Sequence, residues 1–287
     1  MRFAPARWYL ADSAGPGGSL GRLISLRLAV MSLYLRGLFS LAGGVAVVTG
    51  GSSGIGRAMG GALARAGARV VLIARGEKAL QETVGELGAD GCRAAWVSAD
   101  LADRGELEQA ADAAAVPFGE PDILLNSAGI NLRPPLPDLT QAQWDQTMAV
   151  NLTAPFLLGQ RYGTGMAARG WGRIINVTSQ QALRAFGQSG GYGASKAGLA
   201  ALTRSQSEAW ARRGVCCNAV CPGFVVTPLT APVTTDPERV RALAARTMIG
   251  RNGEPADFEG AAVFLAGPAS AYVTGQTLFV DGGFSAT

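Results

Sequence analysis

From Leu41 onward, short apolar runs alternate with segments whose apolar residues recur at helical spacing. The runs VAVVTG (45–50), RVVLIA (69–74), RAAWVSAD (93–100), DILLNSAG (122–129), GRIINVTS (172–179), GVCCNAVCPG (214–223) and QTLFVDGG (276–283) predict seven strands. Between them, residues 55–66, 77–87, 104–115, 141–168, 193–213 and 256–266 predict helices. Runs that are apolar throughout belong to strands buried on both faces. Strands separated by helices imply parallel crossover units, so the fold class is α/β, with a doubly wound parallel sheet of about seven strands. Residues 224–255, with Pro228, Pro232, Pro237 and Pro255, break the pattern and are expected to form an insertion over the site. There is no internal repeat and no signal for a second domain, so residues 38–287 are expected to form a single domain.

Composition changes this picture mainly at the N-terminus. The chain has 287 residues, 40 of them Gly, with 48% hydrophobic residues and a mean hydropathy of +0.19, which indicates a globular chain rich in tight turns. The net charge of +4 comes entirely from residues 1–37, which hold five Arg and one Asp, while the remaining 20 basic and 20 acidic residues cancel. No basic stripe points to nucleic acid. The first 20 residues, rich in Gly, Ala, Ser and Pro, are expected to be disordered. Residues 19–36 are apolar but interrupted by Arg22 and Arg27, and the longest uncharged run, Leu28–Leu35, is far too short to span a bilayer. Three readings of 1–37 stay open: an upstream extension with Met31 as the true initiator, an Arg-rich targeting segment for an organelle, or an amphipathic helix. The four cysteines, Cys92, Cys216, Cys217 and Cys221, form no C-x-x-C pair, and there is no His. Reduced thiols in a cytoplasmic compartment and no metal site are the expectation.

The segment TGGSSGIG (49–56) lies between the first strand and the first helix. Glycines there allow a tight turn and a close backbone approach to a pyrophosphate, and the helix N-terminus adds free N–H groups and a positive dipole end. In this strand–loop–helix setting the loop predicts dinucleotide binding of the Rossmann type, through Gly50, Ser52, Ser53, Gly54, Ile55 and Gly56. The end of the second strand decides between cofactors. An acid there would suit the ribose hydroxyl of NAD, but the residues are Ala74 and Arg75, with no acid before Glu77. Arg75 therefore favours NADP(H), with NAD(H) the alternative.

The residues richest in chemistry are Tyr192 and Lys196, with Ser179 thirteen residues upstream. The chain has 23 Arg but only two Lys, Lys78 and Lys196, yet it places a Lys four residues after a Tyr. On a helix the two share a face, and a compact ammonium does what a broad guanidinium cannot. With no imidazole, protons must move through Tyr, Lys, Cys, a carboxylate or water. The stretch GQSGG (187–191) matches the G-x-S-x-G nucleophile pattern, but a Ser hydrolase needs a base, so Ser189 is read as a loop residue.

Together these segments resemble the short-chain dehydrogenase/reductase family, in its branch of about 250 residues, over residues 38–287. TGGSSGIG is similar to that family's cofactor loop, Asp100 with Leu101 to its adenine-pocket pair, and NSAG (Asn126, Ser127, Ala128, Gly129) to its N-N-A-G motif, with Ser127 a departure. Asn151, Ser179, Tyr192 and Lys196 match its catalytic residues, and Pro222, Gly223, Val225 and Thr227 resemble its nicotinamide-contacting segment. Cys216 stands where relatives often carry Arg, a change expected to alter packing rather than chemistry. The resemblance implies interconversion of a secondary alcohol and a ketone by hydride transfer, with Tyr192 as acid/base. Ionising Tyr near neutral pH requires a shift of about 3 units, roughly 4 kcal/mol. A nearby Lys196 ammonium and a cationic nicotinamide are expected to supply it. The resemblance further implies that Lys196 also binds the ribose, that Ser179 holds the substrate oxygen, and that Asn151 anchors a relay water. It also implies a homodimer or homotetramer.

Candidate substrate residues are Asn131, Arg133, Gln180, Gln181, Arg184, Gln188 and Phe224. GINLRPPLPDLT (129–140) resembles the same stretch in gluconate 5-dehydrogenase-like members, and two Arg would suit a sugar acid, with a polyol as the neutral variant. Two alternatives remain: a 3-oxoacyl-carrier-protein reductase, and a non-catalytic dinucleotide sensor or scaffold, against which the intact Tyr–Lys pair argues.

Overall fold

The computed structural model describes residues 32–286. Two units divide between Leu38 and Phe39. In the first, the described residues, 32–38, are helical. The calls on residues 1–31, including Met31 as initiator and the stretch around Arg22 and Arg27, lie outside the described residues.

The second unit is a sheet of seven parallel strands in the order β3-β2-β1-β4-β5-β6-β7. The strands are β1 (Val45–Thr49), β2 (Arg69–Ala74), β3 (Ala94–Ser98), β4 (Ile123–Asn126), β5 (Gly172–Val177), β6 (Val215–Pro222) and β7 (Thr277–Val280). Every residue of β1, β4, β5 and β6 is buried, as their unbroken apolar runs require. Side chains alternate across the sheet and feed two cores. Ala46, Val48, Val70 and Leu72 pack with Met59, Leu63, Leu80, Phe258 and Leu265 on one face. Val47, Val71 and Ile73 pack with Leu107, Leu158, Tyr162 and Trp210 on the other. The first face is covered by α1 (Gly54–Arg65), α2 (Glu77–Ala89) and Glu259–Ala266. The second is covered by α3 (Arg104–Ala115), Ala154–Arg169 and Gly190–Trp210.

All seven predicted strands form; β2 ends with its apolar run, and the other six end one to three residues before theirs do. Gly50, Ser127–Gly129 and Thr178–Ser179 leave the sheet to line the site instead. The helix expected over 141–168 is interrupted. It comprises Gln141–Met148, a π-helical turn over Ala149–Thr153, and Ala154–Arg169. Pro155 has no N–H to give to the carbonyl one turn back, that of Asn151, so the regular ladder cannot pass through. The helix expected over 193–213 starts earlier, at Gly190, and passes into a short 3-10 turn at Ala211. The segment 224–255 contains two helices that the pattern did not indicate, Ala231–Thr234 and Pro237–Ala245. Among the described residues, no helix is long and apolar enough to cross a membrane.

Candidate active site

Strand order reverses between β1 and β4, and the crevice at the carboxyl ends of such strands is where doubly wound sheets bind ligands. A cavity of about 210 Å³ opens there. The cofactor loop supplies Gly50, Ser53, Gly54, Ile55 and Gly56 to its lining. Gly50 has φ +69°, and a β-carbon on it would meet the Ala128 backbone nitrogen at 2.8 Å. A β-carbon on Gly56 would lie 2.3 Å from the Gly50 carbonyl oxygen. The turn therefore closes only with glycine at both positions. Ser53, the N-cap of α1, uses no side-chain oxygen to cap the helix, so its first N–H groups face the cavity unsatisfied by the protein. Thr49 Oγ1 ties the loop to the end of β4 by accepting from Ser127 N and Ala128 N, each at 3.2 Å. This cradle fits a pyrophosphate.

The outer part of the expected cofactor site lies beyond the cavity. Arg75 is exposed, and its guanidinium forms no hydrogen bond or ion pair among the described residues. Arg57 is instead paired with Glu86. Asp100 Oδ1 accepts from Ala102 N at 3.0 Å and shapes the turn after β3, where Leu101 is buried. Ser52 and Asn126 do not reach the cavity either. Asn126 is buried and donates to Asn176 Oδ1 at 2.8 Å, while Asn176 Nδ2 donates to Thr203 Oγ1 and Gln206 Oε1. That network locks the middle of the sheet to the helix Gly190–Trp210.

The same helix presents Tyr192 and Lys196 one turn apart into the cavity. Both are buried, with relative exposures of 9% and 3%. Ser179 lies in extended backbone just past β5, lines the cavity with Tyr192, and its Oγ accepts from Gln181 N at 3.2 Å. Lys196 Nζ donates to the Val177 carbonyl at 2.7 Å and sits 5.8 Å from the centre of the Tyr192 ring. Burial pushes the Tyr192 hydroxyl above the usual phenol value, while the hydrogen bond from Ser179 and the charge of Arg133 act in the opposite direction. Burial lowers Lys196 to about 8. Ser179 and Arg133 are the protein groups that act to lower Tyr192, and Lys196 is not among them. Cys221, buried in β6 and outside the cavity lining, is pushed by burial up to about 12 and stays a thiol.

Asn151 sits in the π-helical turn, fully buried. Its Oδ1 accepts from Ile130 N at 2.9 Å, and its Nδ2 donates to the Ile130 carbonyl and to Ser195 Oγ, each at 3.0 Å. Ser195 Oγ in turn donates to the Tyr192 carbonyl at 2.7 Å. The side chain is a clasp between the β4 loop and the helix Gly190–Trp210. Pro155 offers the Asn151 backbone carbonyl no N–H one turn on.

Of the substrate candidates, Asn131, Arg133, Gln180, Gln181 and Phe224 line the cavity, as do the nicotinamide-segment residues Pro222, Gly223, Val225 and Thr227. Arg184 does not: its Nη2 donates to the Ser285 carbonyl at 2.7 Å. Gln188 also lies outside the lining, with φ +60°. Ser189 is the N-cap of the helix Gly190–Trp210 and donates to Gln181 Oε1 at 2.7 Å.

A family model described as enoyl-(acyl carrier protein) reductase matches residues 50–285. The gluconate 5-dehydrogenase of Gluconobacter oxydans (strain 621H) is 38% identical over 248 residues, covering 86% of this chain and 97% of its own. The chain belongs to the short-chain dehydrogenase/reductase family. It is an oxidoreductase of that family. The L-tagatose-forming galactitol 2-dehydrogenase of Cereibacter sphaeroides is 41% identical over 254 residues, covering 87% of this chain and 98% of its own. Among solved structures, a gluconate 5-dehydrogenase from Burkholderia cenocepacia J2315, in complex with NADP and tartrate, is 36% identical with a TM-score of 0.83, covering 88% of this chain and 99% of that one.

The sequence reading did not single out Phe186, Leu229, Val233, Arg239 and Leu243, which also line the cavity. The last two lie on the helix Pro237–Ala245, which has no buried residue and so shows no apolar stripe to read. Its start was signalled by Asp236 before Pro237, an N-cap followed by Pro at the first helical position.

Proposed function

We propose that the chain interconverts a secondary alcohol and a ketone of a sugar acid or polyol, with Tyr192 as acid and base. NADP(H) is the favoured cofactor and, when bound, supplies or accepts the hydride; NAD(H) is the alternative. Gly50, Ser53, Gly54, Ile55 and Gly56 would hold its pyrophosphate, and Arg75 its 2′-phosphate. The bound NADP of the Burkholderia relative supports that choice.

One observation carries the reading: Tyr192, Lys196 and Ser179 line the same cavity as the glycine loop. In reduction, Tyr192 gives its proton to the carbonyl oxygen. Ser179 hydrogen-bonds that oxygen and offsets the charge developing on it. In oxidation, Tyr192 accepts the alcohol proton as a phenolate, held by the Ser179 hydroxyl and the Arg133 charge. Lys196 binds the ribose and passes protons to a water anchored at Asn151.

Sugar-acid and polyol substrates are supported by the gluconate and galactitol dehydrogenases among the relatives and by the lining amides Asn131, Gln180 and Gln181. A homodimer or homotetramer in the cytoplasm completes the reading. The test crosses NADPH and NADH with keto-gluconates, ketoses, simple ketones and a 3-oxoacyl thioester, following reduced-nicotinamide absorbance. Turnover of a keto-gluconate with NADPH is the expected result. Turnover of the thioester alone would assign the chain to 3-oxoacyl-carrier-protein reduction instead.

A further inference from the structure

Two guanidinium groups, those of Arg133 and Arg239, converge on the cavity that holds Tyr192. They come from different parts of the chain. Arg133 follows β4, and Arg239 is in the first turn of the helix Pro237–Ala245, within the segment that interrupts the strand–helix alternation. Neither forms an ion pair or a side-chain hydrogen bond among the described residues, although seven other arginine–carboxylate contacts are made on this chain. Arg133 Nε is also buried with no partner.

Holding Arg133 there has a cost. Its backbone sits at φ +57°, in the left-handed region that a bulky side chain rarely adopts. Burial holds its guanidinium below the ordinary value; a Tyr192 phenolate would counter this, and the Arg239 charge adds to it. Two like charges beside one cavity, neither neutralised by a carboxylate of the protein, are complementary to an anion brought in from outside. A carboxylate matches the planar fork of a guanidinium, and two guanidiniums can share its two oxygens. Arg133 is coupled to Tyr192, which puts this charge at the substrate end of the cavity rather than at the pyrophosphate loop.

We propose that Arg239, acting with Arg133, holds the carboxylate of the substrate and makes the helix Pro237–Ala245 the element that selects hydroxy and keto acids over neutral polyols. This rests on the dehydrogenase reading of the same site and narrows its substrate class. Arg239 is the specificity-determining residue and Tyr192 remains the catalytic one.

The test is equilibrium binding to the NADP-loaded enzyme, which does not depend on turnover. The probes are tartrate and threitol, the same four-carbon diol with carboxylates or with hydroxymethyl groups at its ends. Wild type is expected to bind tartrate more tightly than threitol. Arg239→Gln is expected to weaken tartrate roughly ten- to hundredfold, the worth of a charge-assisted hydrogen bond, and to leave threitol nearly unaffected. Arg239→Lys is expected to fall between them, because an ammonium keeps the charge but not the fork. Arg241→Gln, two positions on and outside the lining, serves as the control and should match wild type. Equal losses for both probes, no loss for either, or tighter binding of threitol by wild type would overturn the proposal. If the tartrate loss is found while no alcohol or ketone is turned over, the carboxylate site stands and the dehydrogenase reading fails.

Discussion

Tyr192, Lys196 and Ser179 were legible because chemistry restricts which residue types can serve, and a chain with no His and two Lys leaves few choices. What their types did not reveal is how the charges are shared. Lys196 is bound to the Val177 carbonyl, and Arg133, from a loop 59 residues earlier, faces Tyr192. The lysine also has a measurable consequence. Its folded-state value of about 8 lies below the value of about 10.4 for an exposed lysine. Between these limits the unfolded chain holds the proton and the folded chain does not, so stability rises with pH across that window. Below about pH 8 the folded state carries the full cost of the buried charge. Lys196→Met removes that cost. Its gain in Tm over wild type should therefore be largest near pH 7 and shrink toward about pH 9.5, at about 2–4 °C per kcal/mol for a chain of this size. Thermal unfolding at the two pH values checks this, and a gain that does not change with pH would contradict the assignment. Arg75 makes a second case. Arg75→Asp should raise the KM for NADPH roughly ten- to hundredfold and favour NADH, as the loss of a charge-assisted phosphate contact requires. Unchanged preference would mean the phosphate is read elsewhere.

At the scale of elements, the pattern showed where helices and strands exist but not where they yield to the site. The apolar runs continue past the strand ends because small residues there, half-buried Gly50 and Ala128, turn to line the cavity together with buried Thr178. In the helix expected over 141–168, Val150, Ala154 and Leu158 keep helical spacing through the π turn, so the interruption left no mark on the periodicity. Pro155 was the signal. Arg184 could not be placed from sequence, since its partner, the Ser285 carbonyl, is 101 residues away. The cofactor loop, by contrast, was legible down to its glycines. Gly56→Ala should push a methyl group against the Gly50 carbonyl and force the turn open. We expect NADPH affinity, followed by fluorescence titration, to fall tenfold or more, on the order of 1–3 kcal/mol of overpacking. Wild-type affinity in that variant would show that the turn can relax.

For the whole molecule, seven strands alternating with helices permit few topologies, and the observed order is one that right-handed crossovers allow. Assembly is less directly written in the chain. Trp144, Phe156, Leu278 and Phe279 are each more than a third exposed, which is unusual for large apolar side chains of one monomer and consistent with a dimer or tetramer that covers them. Sedimentation velocity at micromolar concentration should show such an assembly; a monomer would contradict it. The cavity at the strand-order reversal, lined in part by the segment 224–255, brings the glycine loop and Tyr192 together, and the whole functional reading depends on that meeting. The most direct test compares wild type with Tyr192→Phe, following NADPH oxidation with 5-keto-gluconate alongside NADPH binding. Turnover should fall roughly 10²- to 10⁴-fold with cofactor affinity unchanged, as the loss of a general acid requires. Turnover retained in the variant would contradict the central claim that Tyr192 moves the proton.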